Sequence, residues 1–69
     1  MKGFIGVKYV KSVDDEEVFD GLINVDKILG LFHIPEKDDM CSITFGDNNF
    51  LLVKETYDDI ERKIELALT

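Results

Sequence analysis

The stretch INVDKI, residues Ile23–Ile28, sets Asn24, Asp26 and Lys27 inside a run that is otherwise apolar from Leu22 to Ile34. A strand continuing through it would alternate, and a helix would show a stripe three or four residues apart. Neither pattern holds. Asn and Asp side chains bond to nearby backbone amides and compete with a regular ladder. The spacing therefore predicts a corner here, with Ile23, Val25 and Ile28 anchored in the core. Substituting Asn24 or Asp26 by Ala is then expected to cost about 1–2 kcal/mol through loss of a buried backbone bond.

Before the corner, Phe4–Val10 is short and rich in aromatic and branched residues, which predicts a first strand. Asp14-Asp15-Glu16-Glu17 follows, four adjacent carboxylates that repel one another and stay hydrated, as a loop does. A second strand is expected over residues 18–25, with a bend or bulge at Asp20-Gly21. Beyond the corner, Ile28–Ile34 reads as a third strand. Ile28, Phe32 and Ile34 would lie on one side and Leu29, Leu31 and His33 on the other, with apolar residues on both. Pro35 ends it, and 35–39 reads as a polar loop. Cys41–Phe45 alternates strictly, placing Cys41, Ile43 and Phe45 inward. Gly46-Asp47-Asn48-Asn49 carries turn chemistry, and Phe50–Lys54 returns as a last strand.

Thr56 then supplies an N-cap with Asp59 three residues on, and Asp58 and Asp59 sit where a helix dipole favours acid. Tyr57, Ile60, Ile64 and Ala67 or Leu68 form one stripe, and Asp58–Arg62 and Asp59–Lys63 are spaced to pair. A helix of about a dozen residues is marginal alone and must lay its stripe on the sheet. The expected architecture is α+β: a small antiparallel sheet of four to five strands with one C-terminal helix packed on it. The 69 residues are expected to form a single domain.

Fifteen acidic residues against eight basic ones give a net charge of −7. That field repels phosphate, so direct nucleic-acid binding is not expected. One cysteine excludes an internal disulfide and fits a reducing, cytoplasmic interior. With a single His beside it, no zinc site is expected, and the acidic loop lacks the alternate spacing and turn glycine of a calcium site. No cofactor is expected either, since Gly3 and Gly6 precede no strand-to-helix junction. Neither Met1-Lys2-Gly3 nor the interrupted 22–34 run reads as a leader or a membrane span. A chain this short has a marginal core, so a homo-oligomer is a reasonable expectation.

Asn24, Asp26 and Ile28, with Gly46, Asp47, Val53, Lys54, Glu55 and Thr56, resemble the small FlbD-like proteins of bacteria and phage. That family carries an N-x-D-x-I element, a strand–Asp-Gly–strand hairpin and a V-K-E-S-like entry into a terminal helix. The likeness spans roughly 23–64. It implies the same architecture, a link to flagellar or swarming motility, and no catalytic residues. Here Asp-Asn-Asn replaces Asp-Gly, and an acidic loop is added.

No nucleophile has suitable spacing to His33, and the carboxylates of 14–17 share one exposed loop, so catalysis is not expected. The expected function is that of a cytoplasmic module binding a protein partner, one of basic character where it meets the acid. Asp14, Asp15, Glu16 and Glu17 would steer, and Leu29, Leu31 and His33 would make apolar contact, unless those strand residues pack under the helix. The alternative is an acidic nucleic-acid mimic that occupies the basic channel of a nuclease or DNA-binding protein.

Overall fold

The corner at INVDKI forms as its side chains dictate. In a computed structural model, which describes residues 3–69, the Asn24 carboxamide oxygen accepts the Asp26 N–H at 3.0 Å. That bond caps a single 3-10 turn over Val25–Lys27, and the Ile28 N–H closes it on the Val25 carbonyl. Ile23 and Val25 are buried on either side of the cap, and Ile28 packs against the same core.

Strands β1 (Phe4–Val10) and β2 (Phe19–Asn24) precede the corner, and β3 (Gly30–Ile34), β4 (Lys37–Gly46) and β5 (Asn49–Val53) follow it. All pairings are antiparallel, in the order β2-β1-β5-β4-β3. The corner therefore carries the chain from one edge of the sheet to the other. A flat sheet would set its outer strands ~19 Å apart at ~4.8 Å per step. The link from Asn24 to Gly30 spans only ~16 Å with one 3-10 turn inside it, and it must also pass over the core. The sheet is consequently curled.

Helix α1 (Tyr57–Leu68) covers the concave face. The Thr56 hydroxyl oxygen accepts the Asp59 N–H at 3.1 Å, as the cap signal predicts. Ile60 is wholly buried, and Tyr57, Ile64 and Ala67 pack beside it. Beneath them lie Ile5 and Val7 of β1, Ile23 of β2, Cys41 and Ile43 of β4, and Val53 of β5. At ~25 cal/mol per Å² of apolar area, each such side chain contributes ~1.5–3 kcal/mol when fully buried.

Three local expectations change. The β1–β2 ladder runs without interruption through Asp20 and Gly21, so there is no bulge. Gly21 serves close approach instead: a Cβ there would sit 3.1 Å from the Tyr9 ring, which lies across the strand. Strand β3 begins at Gly30, because Ile28 and Leu29 still belong to the corner. The expected 35–39 loop is a two-residue turn, Pro35-Glu36, with Ile34 opposite Lys37. Pro35 presets the first turn position, and Glu36 takes the left-handed conformation, φ 65°. Lys37, Asp38 and Asp39 thus join β4, which is ten residues long.

Nor does the helix form its expected i, i+4 ion pairs. Lys63 reaches back to the sheet, where its Nζ donates to the Glu55 Oε1 at 2.6 Å and to the Gly6 carbonyl at 2.8 Å.

Candidate interaction surface

Register fixes which side chains share a face. Val10, Leu52, Ser42 and Phe32 lie opposite one another across β1, β5, β4 and β3. Phe50, Thr44 and Gly30 form the next row. Because side chains alternate, these two rows point away from the helix. Neither row contains a charged residue, in a chain of net charge −7.

Phe32 and Phe50 stand out from this face, 57% and 61% exposed. The Phe32 ring lies over Gly30, where a Cβ would come within 2.7 Å of it. Gly30 is opposite Thr44 and Thr44 is opposite Phe50, so the two aromatic side chains flank Thr44. A shallow groove of about 280 Å³ continues the patch between Tyr9, Val10 and Lys11 on one side and Phe50, Leu51 and Leu52 on the other. In the next row toward the corner, Lys8 and Asp20 form a 3.0 Å ion pair on the same face. That pair divides the patch from a smaller one, where Leu22 is 62% exposed beside Phe4.

The acidic loop lies at the rim. The Asp15 Oδ1 accepts the Glu17 N–H at 3.1 Å, an Asx turn that shapes the segment. Asp14 approaches Lys37 of the distant β3–β4 hairpin at 3.9 Å. Lys37 belongs to β4, which β5 separates from β1. Val10 and Met40 are both buried outside the main core. Glu16 and Glu17 remain exposed.

The expected apolar contact residues do not share a surface. Leu31 packs into the core. His33 stacks on Tyr57 at the start of α1, centroids 4.1 Å apart and rings 11° from parallel. Leu29 is exposed on the corner, beside Gly46. The pair that does project, Phe32 and Phe50, sits on the other side of the strands. An alternating strand with apolar residues at both parities carries no sign of which face the helix takes. The uncharged register partner Ser42 and the covered Gly30 are the nearest signal.

A second feature lies where β1 and β5 part. Their register covers only Tyr9 with Val53 and Val10 with Leu52. Beyond it the Lys54 N–H still reaches the Lys8 carbonyl at 2.7 Å. From there side chains replace the ladder. The Lys8 N–H donates to the Glu55 Oε2 at 3.0 Å, and the Gly6 carbonyl accepts from Lys63. Burial, and then the negative charge of Glu55, push the nearby Cys41 thiol up to about 11. At neutral pH the thiol is protonated and enclosed, an inert core residue in chemical terms.

Among the described residues, no three His, Cys, Asp or Glu side chains are placed to hold a metal ion, and no helix is long and apolar enough to cross a membrane. Comparison with family models, with curated proteins and with solved structures found no match.

Proposed function

We propose that this chain is a small protein-binding module that acts by contact, without catalysis, in a reducing cytoplasmic compartment. One observation carries the reading: the helix-free face of the sheet exposes Phe32 and Phe50 on two uncharged rows, while charge is dense elsewhere. Aromatic side chains with little charge beside them are what the centre of a protein interface uses. The free, buried Cys41 supports the compartment. The acidic loop, held toward Lys37, adds steering toward a partner with a basic rim.

The exposed carboxylates of Asp14, Glu16 and Glu17 also support a second reading, an acidic mimic of nucleic acid. The two differ in their response to salt. At ~1 M salt the screening length falls to ~3 Å, which removes a charge-led contact and leaves an apolar one. The test is retention of cellular partners on the immobilised protein at low and high salt, for the wild type and for a Phe32→Ser/Phe50→Ser variant. Retention at high salt that the double substitution abolishes supports the apolar interface. Loss at high salt with no effect of the substitutions refutes it and favours the mimic.

A further inference from the structure

We infer that the groove between the end of β1 and the start of β5 takes an extended, basic segment of a partner protein. One apolar side chain of that segment sits between Tyr9 and Phe50, and its flanking Lys or Arg residues meet the acid that borders the groove. This rests on reading the helix-free face as an interface, and it names the place and the chemistry of the occupant. The β1–β5 register stops at Val10 and Leu52, and the two strands part beyond it. The groove they leave is walled by Tyr9 and Val10 on one bank and by Phe50, Leu51 and Leu52 on the other, with Lys11 its one charged lining residue. Its volume of about 280 Å³ lies below the range of cofactor pockets and suits a side chain or two.

The walls supply more than apolar area. In an antiparallel strand, alternate residues turn their backbone groups to the same neighbour. The Lys54 N–H points to β1, where it reaches the Lys8 carbonyl, so Leu52 and Phe50 face that way too. Leu52 lies opposite Val10, but no backbone hydrogen bond joins Phe50 to the chain beyond β1. The Phe50 N–H and C=O therefore border the groove, a donor and an acceptor that an extended segment can use as an added strand does.

Charge selects the occupant. Strand β1 leads into the acidic run 14–17, and β5 follows the turn that carries Asp47, so acid stands on both banks. Glu16, Glu17 and Asp47 are exposed, and none belongs to an ion pair among the described residues. The one cation of the lining is turned away: the Lys11 ammonium lies 5.2 Å from the centre of the Phe19 ring, on β2, across β1 from β5. Such a border repels nucleic acid and other acidic chains and draws a segment bearing Lys or Arg.

The test is titration of the isotope-labelled whole chain, read by amide chemical shifts, with three capped heptapeptides. The first has a central Leu with one Ser and then two Lys on each side; the second carries Glu in place of every Lys; the third carries Ser in place of Leu. The first should shift the amides of Tyr9, Val10, Lys11, Phe50 and Leu51, with half-saturation below about 1 mM. The other two should bind more weakly by about fivefold or more. Phe50→Ala should weaken the first peptide about tenfold, and Glu16→Gln with Glu17→Gln about threefold. Phe32→Ser, two strands away on the same face, should leave it within about twofold. Thermal unfolding verifies that each variant folds. No shift up to about 1 mM overturns the inference, as does equal binding of the Glu peptide. Shifts centred on Phe32 and Thr44 with the groove silent overturn it too, while leaving the helix-free face an interface. None of these results touches partner retention at high salt, so the interface reading stands or falls separately.

Discussion

Glu55→Ala removes the side chain that stands in for a strand. Its two carboxylate oxygens accept the Lys8 N–H at 3.0 Å and the Lys63 ammonium at 2.6 Å. A hydrogen bond to a charged group contributes ~1.5 kcal/mol or more net. The ion pair adds ~0.5–1 kcal/mol, a discounted figure because the Lys63 side chain is 39% exposed. The expected loss is about 2–3 kcal/mol, against a total of ~3–10 kcal/mol for a chain of this length. In a domain of this size each kcal/mol shifts Tm by ~4–8 °C, so thermal unfolding should fall by about 10–20 °C. Glu55→Gln keeps an acceptor for the Lys8 N–H and should lose less than half of that. Lys63→Met, combined with Glu55→Ala, should be sub-additive, because each substitution removes the same ion pair. Hydrogen exchange at the Lys8 amide locates the effect. If Glu55→Ala leaves Tm within about 2 °C and Lys8 protection unchanged, the carboxylate does not complete the β1 edge, and the reasoning fails.

Asn24→Ala should lower stability by about 1 kcal/mol through the lost cap, and Asn24→Asp should retain most of it. Asp26→Ala, by contrast, should stay within about 0.5 kcal/mol: its backbone N–H makes the cap bond and its side chain is exposed. Urea unfolding of the three variants checks both statements, and an Asp26→Ala loss as large as that of Asn24→Ala would contradict them. Cys41 gives a pH dependence. Its pKa is raised from 9.0 to about 11 by burial, so the unfolded chain loses the thiol proton first. This contribution is complete below pH 9 and is lost as pH rises toward 11, at a slope of ~1.4 kcal/mol per pH unit. A Cys41→Ala variant, less stable at neutral pH, should show a flatter decline across that window. Parallel curves would remove thiol ionisation as the cause.

Much of this fold is legible locally. The corner at Asn24, the turn at 46–49 and the Thr56 cap all form from groups within three or four residues of one another, and the Phe4–Val10 strand is marked by its aromatic and branched composition. The parts that differ from the sequence pattern depend on neighbours far along the chain. Gly21 looks like a bulge until the Tyr9 ring is found above it. Lys37, Asp38 and Asp39 look like loop because polar residues on an outward-facing strand end and polar residues in a turn have the same composition. The candidate surface is less legible still. Which side of β3 meets the helix is settled by the Tyr57–His33 stack and by Leu31 in the core, contacts made from elements with no sequence proximity. The four-residue spacing predicts that Lys63 answers Asp59, yet its long stem lets it reach a carbonyl 57 residues away.

The narrow seam between β1 and β5 also bears on the expected order of assembly. The β1–β2 hairpin and the β3–β4–β5 meander each form from strands that follow one another, and their nucleation is local. Joining them means closing a loop of some forty residues for two register pairs and the contacts of Glu55 and Lys63. Until the end of the chain arrives, β1 has a partner on one edge only, and Ile5 and Val7 wait uncovered. Ile60 and Lys63, both on the final helix, supply the cover and the last backbone partner. Interactions completed last contribute little to a folding transition state, so weakening these is expected to hasten unfolding more than it slows folding. The seam is the latch of this small molecule: the halves find themselves first, and the lifetime of the closed form is set where they meet.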